Sequence, residues 1–108
     1  MTVEFPNLRH LRAFMEVADA KGISAAAHKV HLSQPAVTQA ISGLERKFGA
    51  VLLDRRSEGM FPTEEGAVLL SRVRRMFDHL SHGAALAVRL TRREGSTVPD
   101  FHLRTTAA

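Results

Sequence analysis

No cysteine occurs in the 108 residues, and that one absence removes disulfides, thiolate zinc sites and cysteine nucleophiles together. Tryptophan and tyrosine are missing too, and six phenylalanines are the only aromatic residues. A core must then rest on Leu, Val, Ile and Ala, which suits packed helices better than sheets. No apolar run approaches the roughly 20 residues that span a bilayer. Met1-Thr2-Val3-Glu4 lacks the basic and apolar segments of a signal peptide. A soluble protein of the cytoplasm is expected. What is present is a 44% hydrophobic share, enough for one small domain and one extra long element.

The net charge of +4 favours a polyanionic partner, but neither half is a basic tail. Residues 1–62 hold eight Lys/Arg against six Asp/Glu, and residues 63–108 hold seven against five. The placement of side chains therefore matters more than bulk charge.

Asn7 is placed to cap a first helix whose stripe is Leu8, Leu11, Phe14, Met15 and Ala18, with Lys21-Gly22 ending it. Ser24 is expected to cap a short second helix through Ala25, Ala26, Ala27 and Val30, followed by a turn at His31-Leu32. Ser33 caps a third helix that tolerates Pro35 in its first turn and runs to about Phe48, where Gly49 stops it. Val37, Ile41, Leu44 and Phe48 form its apolar face. The helical period is then lost. Leu52-Leu53-Asp54-Arg55, a turn at Arg56-Ser57-Glu58-Gly59 and Met60-Phe61-Pro62 predict a small hairpin, with Pro62 confining its strand to an edge. Thr63 caps a last, longer helix, with Glu64 and Glu65 in its positive first turn. Along it Gly66, Leu70, Val73, Phe77, Leu80, Ala84 and Ala87 repeat at spacings of 4 and 3, and fraying is expected by Glu94-Gly95-Ser96.

The expected fold is mainly α. It is a winged helix-turn-helix of three helices plus a small two-stranded wing, followed by a long dimerisation linker helix. The expected division is a DNA-binding domain at 1–62, a linker and dimerisation helix at 63–94, and a flexible linker or tail at 95–108.

In a helix-turn-helix the second helix of the pair lies in the major groove and its N-terminal residues reach base edges. Here those turns carry Gln34, Ala36, Thr38, Gln39 and Ser42. Gln can bond adenine in a bidentate way, Ser and Thr can bond several edges, and Ala or a Thr methyl can meet the thymine methyl. No carboxylate precedes Glu45 on that face. From spacing alone, a solvated face of an ordinary bundle helix fits equally well. Arg55 and Arg56 beside the hairpin turn favour DNA, because a wing so placed sets cations against phosphates or in the minor groove; the bland reading is two solvated arginines. The heptad-like repeat points to a dimer seam at Leu70, Val73, Phe77, Leu80 and Ala84. The alternatives are a helix folded back on its own domain and, less consistent with Glu64, Glu65 and Asp78, a membrane-surface helix.

His79 and His82 stand three apart with Asp78 beside them and no thiol, too few ligands for a site, so no metal or other cofactor is expected. No nucleophile elbow, phosphate loop or paired carboxylates argue for an enzyme. A rival of another class is a protein-interaction module whose long helix recruits a partner.

These residues resemble the N-terminal DNA-binding domain of LysR-type transcriptional regulators, ungapped from about Leu8 to Gly66. The likeness rests on Leu8-Arg9-His10-Leu11, Ser24 with Ala26-Ala27, Leu32-Ser33-Gln34-Pro35-Ala36-Val37-Thr38, Ile41, Leu44-Glu45, Gly49, Leu52, Arg55 and Thr63-Glu64-Glu65-Gly66. It implies a homodimer joined through the linker helix, a higher oligomer in a full-length protein, and double-stranded DNA bound at an interrupted palindrome. It implies base contacts from Gln34, Pro35, Ala36, Thr38 and Gln39 and wing contacts from Arg55 and its neighbours. The candidate set is therefore Ser33, Gln34, Pro35, Ala36, Thr38, Gln39, Ser42, Arg55 and Arg56. Such regulators usually continue into a domain for a small-molecule inducer, so the chain is expected to be a DNA-binding fragment. It departs from the family at Ala25 and Gln39, where basic residues are frequent, and at Leu53, where Phe is usual. The first two changes imply weaker phosphate anchoring. Gly43, in mid-helix, costs roughly 0.5–1 kcal/mol against Ala and has no evident sequence reason beyond a close contact.

Overall fold

Asn7 opens the first helix as expected: its Oδ1 accepts from the N–H groups of Arg9 (2.8 Å) and His10 (3.4 Å). The computed structural model describes residues 6–93, and in it α1 spans Leu8–Ala20. Leu11, Phe14, Val17 and Ala18 are buried, whereas Leu8, at the free end of the helix, is 53% exposed. Lys21 closes α1 in the left-handed region (φ 59°), a place expected to fall to Gly22. Gly22 is instead extended and precedes α2 (Ile23–Val30), which has no side-chain cap. Ser24 thus lies inside α2 and does not cap it. Ala26 and Ala27 are buried, and such small side chains let α1, α2 and α3 approach closely.

Helix α3 (Gln34–Phe48) begins where Ser33 Oγ accepts from the Ala36 N–H (3.1 Å), and it stops at Gly49. Val37, Ala40, Ile41 and Leu44 are its buried face; Phe48, expected to join them, is 44% exposed because inward packing ends a turn earlier. One charged group lies within this core. Glu16 is 3% exposed, and its carboxylate holds Arg12 of its own helix (2.9 Å) and Lys29 of α2 (3.3 Å).

The wing is β1 (Leu53–Arg56) paired antiparallel with β2 (Gly59–Pro62), in the register Leu53–Pro62, Asp54–Phe61, Arg55–Met60 and Arg56–Gly59. The turn is therefore only Ser57-Glu58, and Arg56 and Gly59 are ladder residues. Gly59 has φ 134°, and a Cβ there would overlap the Lys21 carbonyl oxygen. That carbonyl accepts from the Met60 N–H (3.0 Å), which points away from β1. Strand alternation gives Pro62 the same orientation, so its missing N–H removes no ladder bond.

Thr63 then joins wing and helix. Its hydroxyl donates to the Val51 carbonyl (2.6 Å) and accepts from the Gly66 N–H (3.0 Å), while its own N–H donates to the Leu52 carbonyl (3.0 Å). Helix α4 follows over Glu64–Arg93. A Cβ on Gly66 would overlap the Leu52 carbonyl oxygen, so this glycine is required by the close approach of α4 to the residue that precedes β1. The chain divides into two units at the Val73–Arg74 junction, and the first unit takes in the opening turns of α4. The expected fraying at Glu94 and the expected tail at 95–108 lie outside the described residues. Among the described residues, no helix is long and apolar enough to cross a membrane.

Candidate nucleic-acid interface

The opening of α3 presents polar side chains while its opposite side is consumed by the core. Ser33, Gln34, Pro35, Thr38 and Gln39 are exposed, and Ala36 and Ser42 are half-buried. Val37, Ala40, Ile41 and Leu44 anchor the helix, so these outward residues sit on a rigid support. Pro35, Gln39, Ser42 and Arg46 follow one another at helical spacings of 4, 3 and 4. Arg46 is exposed and shares the outward side, although the sequence reading left it out of the candidate set.

Two candidates are already engaged. Ser33 Oγ has an accepting role at the helix cap. Gln34 Nε2 donates to Ser24 Oγ (3.2 Å), which leaves the amide oxygen of Gln34 as the freer end. Ser24, expected as a cap of α2, instead holds the first side chain of α3. Its signal was absent because the two residues stand ten apart on different helices.

Glu45, read as part of the polar face of α3, has a structural task. Its Oε2 accepts from the N–H of Leu52 (2.8 Å) and of Leu53 (3.4 Å), where β1 begins. The carboxylate thereby sets the wing against the end of α3.

The two wing arginines are separated by strand alternation. Arg55 and Arg56 are both exposed on β1 but point to opposite faces of the ribbon. Arg56 lies over the ring of Phe61 (5.3 Å to the centroid), and Arg55 stands opposite Met60.

The proposed seam on α4 is unevenly exposed. Val73 is 3% exposed and belongs to the core of the first unit, which leaves little of its side chain for a partner helix. Gly66, at the head of the same repeat, is likewise buried, and Leu70 is half-buried. In the second unit Phe77 and Ala84 are half-buried and Leu80 is 53% exposed. Among the described residues, no group of three or more His, Cys, Asp or Glu side chains could hold a metal, His79 and His82 included.

The sequence profile of bacterial regulatory helix-turn-helix proteins of the lysR family matches residues 8–67. The chain is 40% identical over 78 residues to the HTH-type transcriptional regulator GalR of Pseudomonas putida, covering 72% of this chain and 20% of that protein. It is 41% identical over 69 residues to the regulator TfdT of Cupriavidus pinatubonensis, covering 64% of this chain and 30% of the relative. The chain therefore spans less than a third of the length of either relative. Among solved structures, the CbnR DNA-binding domain in complex with DNA superposes with a TM-score of 0.71 at 32% identity, covering 79% of this chain and 98% of that one. The BenM DNA-binding domain on benA site 1 DNA gives 0.74 at 28% identity, with 79% and 96% covered.

Proposed function

As the chain belongs to the lysR family of bacterial regulatory helix-turn-helix proteins, we propose that it is the DNA-reading head of a transcription regulator. The observation that carries this is the opening of α3. A capped helix start holds Gln34, Pro35, Thr38 and Gln39 outward from a buried face, with the exposed wing arginines Arg55 and Arg56 following it. Gln and Thr supply base-edge bonds, and Arg55 and Arg56 supply backbone contacts. Two copies joined along α4 at Phe77, Leu80 and Ala84 present two such helices to the half-sites of an interrupted palindrome. The protein acts in the cytoplasm and without catalysis. A small-molecule inducer acts only through a further domain of a longer protein.

Selection of bound duplexes from a random pool tests this. An enriched palindrome is expected. Thr38→Ala should relax preference at a defined base position, with a loss of about 1–3 kcal/mol on the preferred site. Arg55→Ala should weaken all sequences alike and lower the slope of log affinity on log salt by about 0.9. A pool with no enriched duplex, or Thr38→Ala with unchanged preference, would overturn the reading.

A further inference from the structure

The wing carries charges of both signs, Asp54 and Glu58 against Arg55 and Arg56. At the tip turn the Ser57 hydroxyl donates to the Glu58 carboxylate (2.8 Å), so an anion stands there. Beside it the sign reverses. Lys21 Nζ lies 5.8 Å from the Phe61 ring centroid and Arg56 Cζ lies 5.3 Å from the same centroid. Among the described residues neither cation is in an ion pair, and Asp54, opposite Phe61 in the register, pairs with neither. Lys21 is also held by its backbone: its carbonyl accepts from Met60, and its Cβ lies close to Gly59.

Two like charges on one ring repel each other. The ring attracts each by only about 0.5–1 kcal/mol at an exposed site, and it neutralises neither. An anion that reached both would satisfy them together, with the donors held near the ring before it arrives. Lys21 also adopts φ 59°, a conformation that costs a residue with a Cβ roughly 1–2 kcal/mol. Glycine would adopt that conformation without this cost.

We propose that Lys21 and Arg56, held on Phe61, form a clamp for a DNA backbone phosphate on the flank of the wing, with Phe61 as the positioning residue. This rests on the DNA-binding reading above. It adds Lys21 and Phe61, which neither the helix-turn-helix pattern nor the wing arginines pointed to. The contact is to phosphate and so is independent of base sequence.

The experiment measures affinity for a short mixed-sequence duplex across a salt series, together with the thermal midpoint of the free protein. Lys21→Gly should bind several-fold more weakly at moderate salt, with a salt slope smaller by about 0.9, while its midpoint stays level or rises. Loss of a purely structural lysine would move both quantities downward or neither. Phe61→Leu keeps both charges but should also weaken binding several-fold, and adding Lys21→Gly to it should cost less than in the wild type. The clamp is overturned if Lys21→Gly leaves affinity and slope unchanged while the wild type binds, or if the two losses simply add. If the wild type binds no duplex even at low salt, the DNA-binding reading falls and the clamp with it.

Discussion

Replacing Glu45 by alanine removes the acceptor that holds the start of the wing against the end of α3. Its Oε2 takes the Leu52 N–H at 2.8 Å and the Leu53 N–H at 3.4 Å. The first is a short charge-assisted bond, and such bonds contribute about 1.5–3 kcal/mol. The second is longer than the usual N–H···O range and adds little. Glu45 is only half-buried, so water can partly replace it, and the lower part of the range applies. Leu52 itself is 2% exposed, which limits how well its freed N–H is rehydrated. Glu45→Ala should therefore lose about 1.5–2 kcal/mol, a fall in the thermal midpoint of roughly 10 °C for a domain of this size. Glu45→Gln keeps a neutral acceptor and should lose about half as much. Urea unfolding followed by circular dichroism measures both. A loss under about 0.5 kcal/mol for Glu45→Ala, or a larger loss for Gln than for Ala, would refute the latch.

Gly66→Ala and Gly43→Ala should have opposite signs in the same assay. A Cβ at Gly66 overlaps the Leu52 carbonyl, so the variant should lose more than about 2 kcal/mol. At Gly43 the nearest atoms are those of the His10 ring at 3.5 Å, an ordinary contact, so alanine should gain about 0.5–1 kcal/mol from helix propensity. Glu16→Met should lose up to about 3 kcal/mol, because it takes the carboxylate from Arg12, whose side chain is only 25% exposed, while Lys29 reaches water. Should Glu16→Met unfold the domain, the ion triad has a larger share in the fold than its geometry implies. Leu80→Glu should sediment as a monomer, and an unchanged dimer would move the seam elsewhere on α4.

Residue order by itself determined the helices, the wing and the family. Asn7, Ser33 and Thr63 cap their own helices, and the side chain that satisfies a first-turn N–H always stands two or three residues before it. The burial of Leu11, Phe14, Val37, Ile41 and Leu44 follows from spacing along one helix, which needs no knowledge of the neighbour. Tertiary structure alone decided the tasks of Lys21, Ser24, Glu45, Gly66 and Val73. Each of the first four meets a partner on another element: Met60 and Phe61 for Lys21, Gln34 for Ser24, Leu52 for Glu45 and for Gly66. Such contacts leave no periodic trace in the chain. The same holds for the seam, where Val73 keeps perfect register with Phe77 and Leu80 and is nevertheless buried in the first unit. Periodicity says which side of a helix is apolar, and only packing says what covers it.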